Sequence, residues 1–486
     1  MDVLNRKITN PTTHPVRVVQ FGEGAFLRGF VDHMIDIANE QEKFDGSVVI
    51  VKPREHGDLE QFHRQDCQYT VSLRGLVDGE AKVMNRTITC VADAVHAYKE
   101  YEKFMSLATL DTLRFVVSNT TEAGIVFDAT DRFEYEPPKT FPGKLTKFLY
   151  HRFTYFQGDM TKGLIMLPAE LIDENGAALK KCVLSFAKLW DLGDAFLCWL
   201  NEACVFASTL VDRIITGYPK ATECEEWTAL GYEDRLLVTG EPFGLWVIES
   251  DRDISGELPL PEAGLPVIYT DNHKPYKQRK VRILNGAHTS FVLASFLTGN
   301  DTVKESMDDN DVRKFVMKTL HEEVIPTLTL PRSELEEFAD AVIERFNNPY
   351  IRHALLAISL NSVSKWRARC MPSLLAYVQK IGQLPTCLTF SLAALMAFYS
   401  GTEIRENALI GRRGMQEYKI MDDPAVLDFF WKYSSCEPLE FTEALLARED
   451  FWGQDLRQAE GLTETVASYL SDIRENGMRA ALCRIS

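Results

Sequence analysis

The sequence predicts an α/β fold: an N-terminal doubly wound sheet domain over residues 1–270, then a mostly α-helical domain over residues 271–486. Three observations carry this. The β-branched run Val16–Phe21 opens into a glycine turn and an amphipathic helical period. Further β-branched runs end in clusters of polar residues. Beyond about Asp271 helical periods alone run to the end.

The length of 486 residues suits two domains, and 45% hydrophobic with 25% charged residues is ordinary for a globular chain. A formal net charge of -17 argues against a nucleic-acid backbone or an anionic membrane as the main partner. The ten cysteines form no C-x-x-C pair, so neither a metal site nor a disulfide framework is expected, and reduced thiols in the cytoplasm are the simplest account. The first residues lack the apolar core of a signal peptide. The most apolar stretch, Leu388 to Tyr399, is too short to span a bilayer and reads as a buried helix.

After the first strand comes Gly22-Glu23-Gly24-Ala25-Phe26-Leu27-Arg28, and Phe26, Phe30, Met34 and Ala38 continue at helical spacing. Glycines between a strand and a helix let backbone approach a pyrophosphate, which the helix N-terminus then holds. Leu27 stands at the third glycine's place, and a plain glycine turn is the alternative. A second strand, Ser47–Val51, leads into the position where a ribose-reading residue belongs. Lys52 and Arg54 face Glu55 and Asp58 there, which leaves NAD and NADP both open. Leu73 to Val91 alternates around a hairpin candidate, Val77-Asp78-Gly79-Glu80. The strands Leu113–Ser118 and Gly163–Leu167 end in Asn119-Thr120-Thr121-Glu122 and in Pro168 to Asn175. Ligands collect at such strand ends, with ordinary turn chemistry as the alternative. Leu179 to Ser208 has a helical period, Asp212 and Arg213 read as fold-holding residues, and Glu241 to Glu249 returns to strand character. Pro259, Pro261 and Pro266 mark a link near the domain boundary.

Helical periods then cover Lys280–Leu297, Asp311–Glu323, Pro331–Phe346, Tyr350–Ser364, Met371–Ile381, Thr386–Ser400, Ala425–Tyr433, Phe441–Ala447 and Gly461–Glu475, with no comparable strand. The chemistry concentrates in Lys280-Val-Arg-Ile-Leu-Asn285-Gly-Ala-His288. On an α-helix Asn285 lies about 140° and His288 about 80° around from Lys280. A lysine can exchange a proton, an asparagine can donate to a developing oxyanion, and a histidine can hold a hydroxyl. A solvated helix start with Asn285 as a cap is the alternative reading. Arg352 with His353, and Lys365 with Arg367 and Arg369, are further polar concentrations, the last two expected on a solvated face.

Taken together, Lys280-x4-Asn285-x2-His288, Gly22-x-Gly24-x-x-x-Arg28 and Ser208-Thr-Leu-Val-Asp212-Arg213-Ile resemble the polyol-specific long-chain dehydrogenases, the mannitol dehydrogenase family, along nearly the whole chain. The resemblance implies a Rossmann-type N-terminal domain, a helical C-terminal domain and an active site between them. It implies a zinc-independent, NAD-dependent oxidoreductase, nearest to members that interconvert D-altronate and D-tagaturonate by hydride transfer at C3. By position Lys280 matches the general acid/base, Asn285 the donor to the reacting oxygen and His288 a substrate-positioning residue. The expected cofactor-binding set is Phe21, Gly22, Gly24, Ala25, Phe26, Arg28, Asn119, Thr121 and Glu122. Lys365, Arg352 and Ser208 are the expected substrate residues, and no metal ligand is expected. Ser208 stands where many relatives carry asparagine, Lys277 where some carry an acid, and Ala357 where an arginine precedes the substrate lysine. Those changes suit a sugar acid. A member acting on fructuronate/mannonate or on a neutral polyol such as mannitol remains open, as does a non-catalytic dinucleotide-binding sensor.

Overall fold

The structure is a computed structural model that describes residues 1–121 and 123–485. The chain divides into two compact units, one of Met1–Gly75 with Lys82–His273, the other of Leu76–Ala81 with Lys274 onward.

In chain order the first thirteen strands are β1 (Val16–Phe21), β2 (Ser47–Lys52), β3 (Tyr69–Val77), β4 (Glu80–Ile88), β5 (Val91–His96), β6 (Phe115–Ser118), β7 (Ile165–Pro168), β8 (Val205–Phe206), β9 (Ser208–Asp212), β10 (Ile215–Gly217), β11 (Val238–Gly240), β12 (Leu245–Glu249) and β13 (Val267–Thr270). Six of them form a parallel sheet in the order β5-β2-β1-β6-β7-β8. Counted among themselves, these strands run 3-2-1-4-5-6, the doubly wound order whose direction reverses between β1 and β6. There Phe21 stands beside Ser118.

Every residue of β2, β6 and β7 is buried, which is why these strands read as unbroken apolar runs. Alternate side chains feed two cores. Val18 and Ile50 join Phe30, Met34 and Trp246 on one face, while Val19 and Phe21 join Phe104, Phe148 and Trp199 on the other. Two smaller sheets, β10-β11-β3-β4 and β13-β12-β9, complete the strand set. The β3–β4 hairpin turns through Asp78 (φ 56) and Gly79 (φ 78), as the turn residues predict.

The helical period expected from Leu179 to Ser208 is corrected to two helices, Asn175–Leu189 and Asp194–Glu202, followed by β8 and β9. The break falls at Asp191 (φ 50) and Gly193 (φ 87). Residues 207 and 208 could not stay helical, because the Ala207 carbonyl is packed against Gly176 and β9 pairs with β12.

In the second unit, helices Arg332–Phe346, Met371–Ile381, Thr386–Phe398 and Leu462–Asn476 follow the predicted periods. Thr386–Phe398 is buried nearly throughout, and no helix of the described residues is long and apolar enough to cross a membrane. Two expectations are corrected here. A three-stranded antiparallel sheet occurs where no strand was read: β14 (Glu403–Arg405), β15 (Ala408–Arg413) and β16 (Gln416–Ile420). Its outer residues are charged, with Arg405 and Arg412 both paired to Glu417, so the apolar alternation that marks a strand is missing. The helix expected over Tyr350–Ser364 is interrupted. Val303 N–H donates to the His353 carbonyl (3.0 Å) and Leu355 N–H to that of Asp301 (2.9 Å), leaving helices only at Leu355–Ile358 and Ser362–Arg369.

Candidate active site

In the first unit a cavity of about 570 Å³ opens where the sheet order reverses, lined among others by Gly22, Gly24, Arg54, Asn119, Thr121 and Lys144. Gly22 has φ +126, and a side chain there would press on the Asn119 carbonyl (3.4 Å) and Leu27 Cδ1 (3.5 Å). Gly24 has nothing within 4 Å of where its Cβ would stand, so it leaves open the space in front of the helix that begins at Ala25. Across the reversal, Glu170 fixes the loop after β6. It is buried and accepts from Thr120 N–H (2.9 Å), Thr120 Oγ1 (2.9 Å) and Ser118 Oγ (3.0 Å). Asn119 donates through Nδ2 to the Ala169 carbonyl (2.7 Å). Thr121 has φ 105, a costly conformation for a β-branched residue, held at the cavity wall. Glu122 lies outside the described residues.

Not every predicted cofactor residue faces this cavity. Phe21 is fully buried, its ring packed on Phe104, Phe141 and Phe148. Arg28 is turned inward. Its guanidinium donates to the carbonyls of Leu236 and Glu23 and stacks over Tyr69 and Phe62, so its part is to brace the turn from behind. Ala25 and Phe26 form the first turn of the helix, with Phe26 stacked on Phe30.

The second wall was missed. Thr140 caps helix Phe141–Tyr155, accepting from Gly143 N–H, and one turn in, Lys144 lines the cavity. Burial lowers Lys144 to about 8, and its Nζ donates to the Lys139 carbonyl (2.7 Å) and to Tyr98 OH (3.2 Å). A threonine followed by a proline at the second helical position was the available signal. At the end of β2, Lys52 pairs with Glu23, which joins the acid of the glycine turn to the basic end of the strand.

In the second unit, Lys280–Asn285 forms a π-helical turn that runs into helix Gly286–Thr298. Gly286 N–H reaches back to the Val281 carbonyl, five residues earlier. Bonding of this i→i+5 type widens the turn and sets residues five apart over one another. Lys280 and Asn285 therefore share a face, a correction to the α-helical projection that separated them. Asn285 is not a cap: it is right-handed helical and makes no capping bond.

His288 follows, with its ring 4.3 Å from that of Phe346 and 5.3 Å from that of His353. Burial holds it well below the usual imidazole range, and His353, Arg345, Arg369 and Lys365 add to this. It is neutral near pH 7, and its Nε2 is buried with no hydrogen-bond partner among the described residues. Lys365 is half-buried with Nζ donating to the Ile358 carbonyl (2.9 Å). Arg352 is exposed beside His353. Arg279, next to Lys280 in the chain, is paired with Glu334 (2.5 Å) and stacked over Phe338. Ser208 belongs to the first unit, buried at the start of β9 opposite Glu249. Among the described residues no group of three His, Cys, Asp or Glu side chains could hold a metal ion.

The profile of the mannitol dehydrogenase Rossmann domain matches residues 16–262, and that of the mannitol dehydrogenase C-terminal domain residues 272–474. The chain belongs to the mannitol dehydrogenase family. Within the family it is 45% identical to the altronate oxidoreductases of Pectobacterium atrosepticum and Escherichia coli, over 99% of this chain and 99% of each relative. Among solved structures, the D-sorbitol dehydrogenase in substrate-free form superposes with a TM-score of 0.81 at 22% identity, over 99% of this chain and 100% of that one. Pseudomonas fluorescens mannitol 2-dehydrogenase, in a ternary complex with NAD and D-mannitol, gives 0.67 at 22% identity over 100% and 99%. The likeness to these two family folds extends over both units.

Proposed function

We propose that the chain is an NAD-dependent oxidoreductase that interconverts D-altronate and D-tagaturonate in the cytoplasm. The observation that carries this is 45% identity over 99% of the chain to altronate oxidoreductases. The first-unit cavity fits a dinucleotide. Gly22 and Gly24 leave backbone clear, Ala25 begins a helix there, and Asn119, Thr121 and Lys144 supply polar groups. The bound nicotinamide supplies or takes up the hydride.

The remaining work falls to side chains of the second unit. Lys280 gives a proton to the ketone oxygen in reduction and takes it back in oxidation. Asn285, beside it on the π turn and with a side-chain amide unspent among the described residues, donates to the same oxygen as charge develops there. His288, neutral and with Nε2 open, accepts from a substrate hydroxyl. Lys365 lies toward the carboxylate, with Ser208 as a further polar contact, and Arg352 serves at the periphery.

Replacement Lys280→Ala tests the central role. It should lower kcat by roughly 10²- to 10⁴-fold, the usual worth of a positioned acid/base, while the Kd for NADH stays within about twofold. Comparable turnover in the variant would end the proposal. Added chelator should leave the wild-type rate unchanged.

A further inference from the structure

The sequence places Arg369 on a solvated face, yet its surroundings are those of a ligand-binding residue. It closes helix Ser362–Arg369, one turn after Lys365, so the two share a face. That helix end is locked against the catalytic run. A Cβ on Gly286 would stand 3.3 Å from the Arg369 carbonyl, and Cys370 Sγ contacts the Gly286 carbonyl at 3.6 Å. Gly286 lies between Asn285 and His288, so Arg369 is held at the junction of the π turn and its helix.

The Arg369 side chain is half-buried, and among the described residues its one hydrogen bond is from Nη1 to Thr289 Oγ1, at 3.3 Å. A guanidinium carries five donors, so most of this fork is unspent. The contrast with nearby arginines is informative: Arg279 pairs with Glu334, and Arg367 is exposed with its guanidinium laid over Gly453. The charged groups that bear most on His288 are basic: His353, Arg345, Arg369 and Lys365. Asp422, the carboxylate whose charge favours the charged form of Lys365, accepts from Tyr399 OH (2.6 Å) and Val363 N–H (3.3 Å). Two cations side by side, partly withdrawn from water, are favourable only when an anion joins them.

We infer that Arg369 grips the carboxylate of the sugar-acid substrate through its free fork, with Lys365 beside it, and is the chain's main discriminator between sugar acids and neutral ketoses. The inference rests on the function proposed above.

The test is steady-state reduction of D-tagaturonate and D-fructose by the full-length wild type, Arg369→Gln, Arg369→Lys and, as a control, Arg367→Gln. Wild-type reduction of tagaturonate decides the functional reading by itself. Given that, Arg369→Gln should raise the KM for tagaturonate about 10- to 100-fold, as expected for a charge-assisted pair. The KM for NADH, any fructose turnover and the melting temperature should stay near wild type, and Arg367→Gln should change none of them. Arg369→Lys, which keeps charge but loses the fork, should fall between; it also serves if the glutamine variant fails to fold. A tagaturonate KM within twofold of wild type in the folded variants, or an equal rise for NADH, would overturn the assignment.

Discussion

Glu170 and Thr120 are joined twice: the Glu170 Oε1 accepts both the backbone N–H and the Oγ1 of Thr120, at 2.9 Å each. Burial pushes the Glu170 carboxyl up, opposed by these bonds and by Ser118. Glu170 is thus the brace that sets Asn119 and Thr121 at the cavity wall. Glu170→Ala should raise the KM for NADH by about tenfold, the worth of one or two lost hydrogen bonds to a charged group, with a smaller effect on the KM for tagaturonate. Equal effects on the two would assign Glu170 to the fold alone.

The pairing of Glu23 with Lys52 bears on cofactor choice. A basic residue at the end of β2 suits a 2′-phosphate, but here the acid of the glycine turn neutralises it. Glu23→Gln frees the Lys52 charge. The ratio of kcat/KM for NADPH over NADH should rise by about tenfold, equivalent to ~1.4 kcal/mol. An unchanged ratio would show that Lys52 does not reach the ribose.

Gly22 cannot carry a side chain without strain, given its φ of +126 and the Asn119 carbonyl at 3.4 Å. Gly22→Ala should cost about 1–3 kcal/mol locally and weaken NADH binding by tenfold or more, read by fluorescence titration. Gly24→Ala, with nothing within 4 Å, should leave the melting temperature alone and still weaken NADH, because its methyl enters the cavity.

Asp32 and His33, adjacent and buried, give opposite pH signatures. Burial raises Asp32 to about 7, against hydrogen bonds from Tyr69 OH and Gln20. Its contribution to stability is present below the unfolded carboxyl range and is lost as pH rises toward 7. Burial, with Arg213 and Arg86, lowers His33 to about 3, so its contribution is lost as pH falls from about 6.5 toward that value. In urea titrations, Asp32→Asn should gain on wild type between pH 4 and pH 7.5, on the order of 4 kcal/mol at ~1.4 kcal/mol per unit. His33→Gln should gain in the acid direction. A pH-independent difference for either would contradict these assignments.

Much of this was legible in the sequence, for identifiable reasons. Strands buried on both faces write themselves as apolar runs, so β2, β6 and β7 were readable, and Gly22 and Gly24 pointed to the end of the sheet where the cavity lies. Lys280, Asn285 and His288 were readable as a spacing. The stacking of Lys280 over Asn285 was not, because an inserted π turn leaves no periodic trace. Arg28 and Phe21 show the reverse failure: a motif position marks where a residue sits and not which way it points. Arg369 was misjudged because its setting depends on Gly286 and Thr289, some eighty residues earlier in the chain. The β14–β16 sheet was invisible because its strands are short and β14 and much of β16 are exposed and charged.

The most direct test of the whole account is the initial rate of nicotinamide oxidation by the purified chain. D-tagaturonate would be compared with D-fructuronate and D-fructose, using NADH and NADPH in turn. The account predicts fast oxidation of NADH with tagaturonate, and slow or no reaction with the other ketoses or with NADPH. Preference for fructuronate or fructose would contradict the substrate assignment, and NADH binding without turnover of any of the three would contradict the enzymatic reading itself.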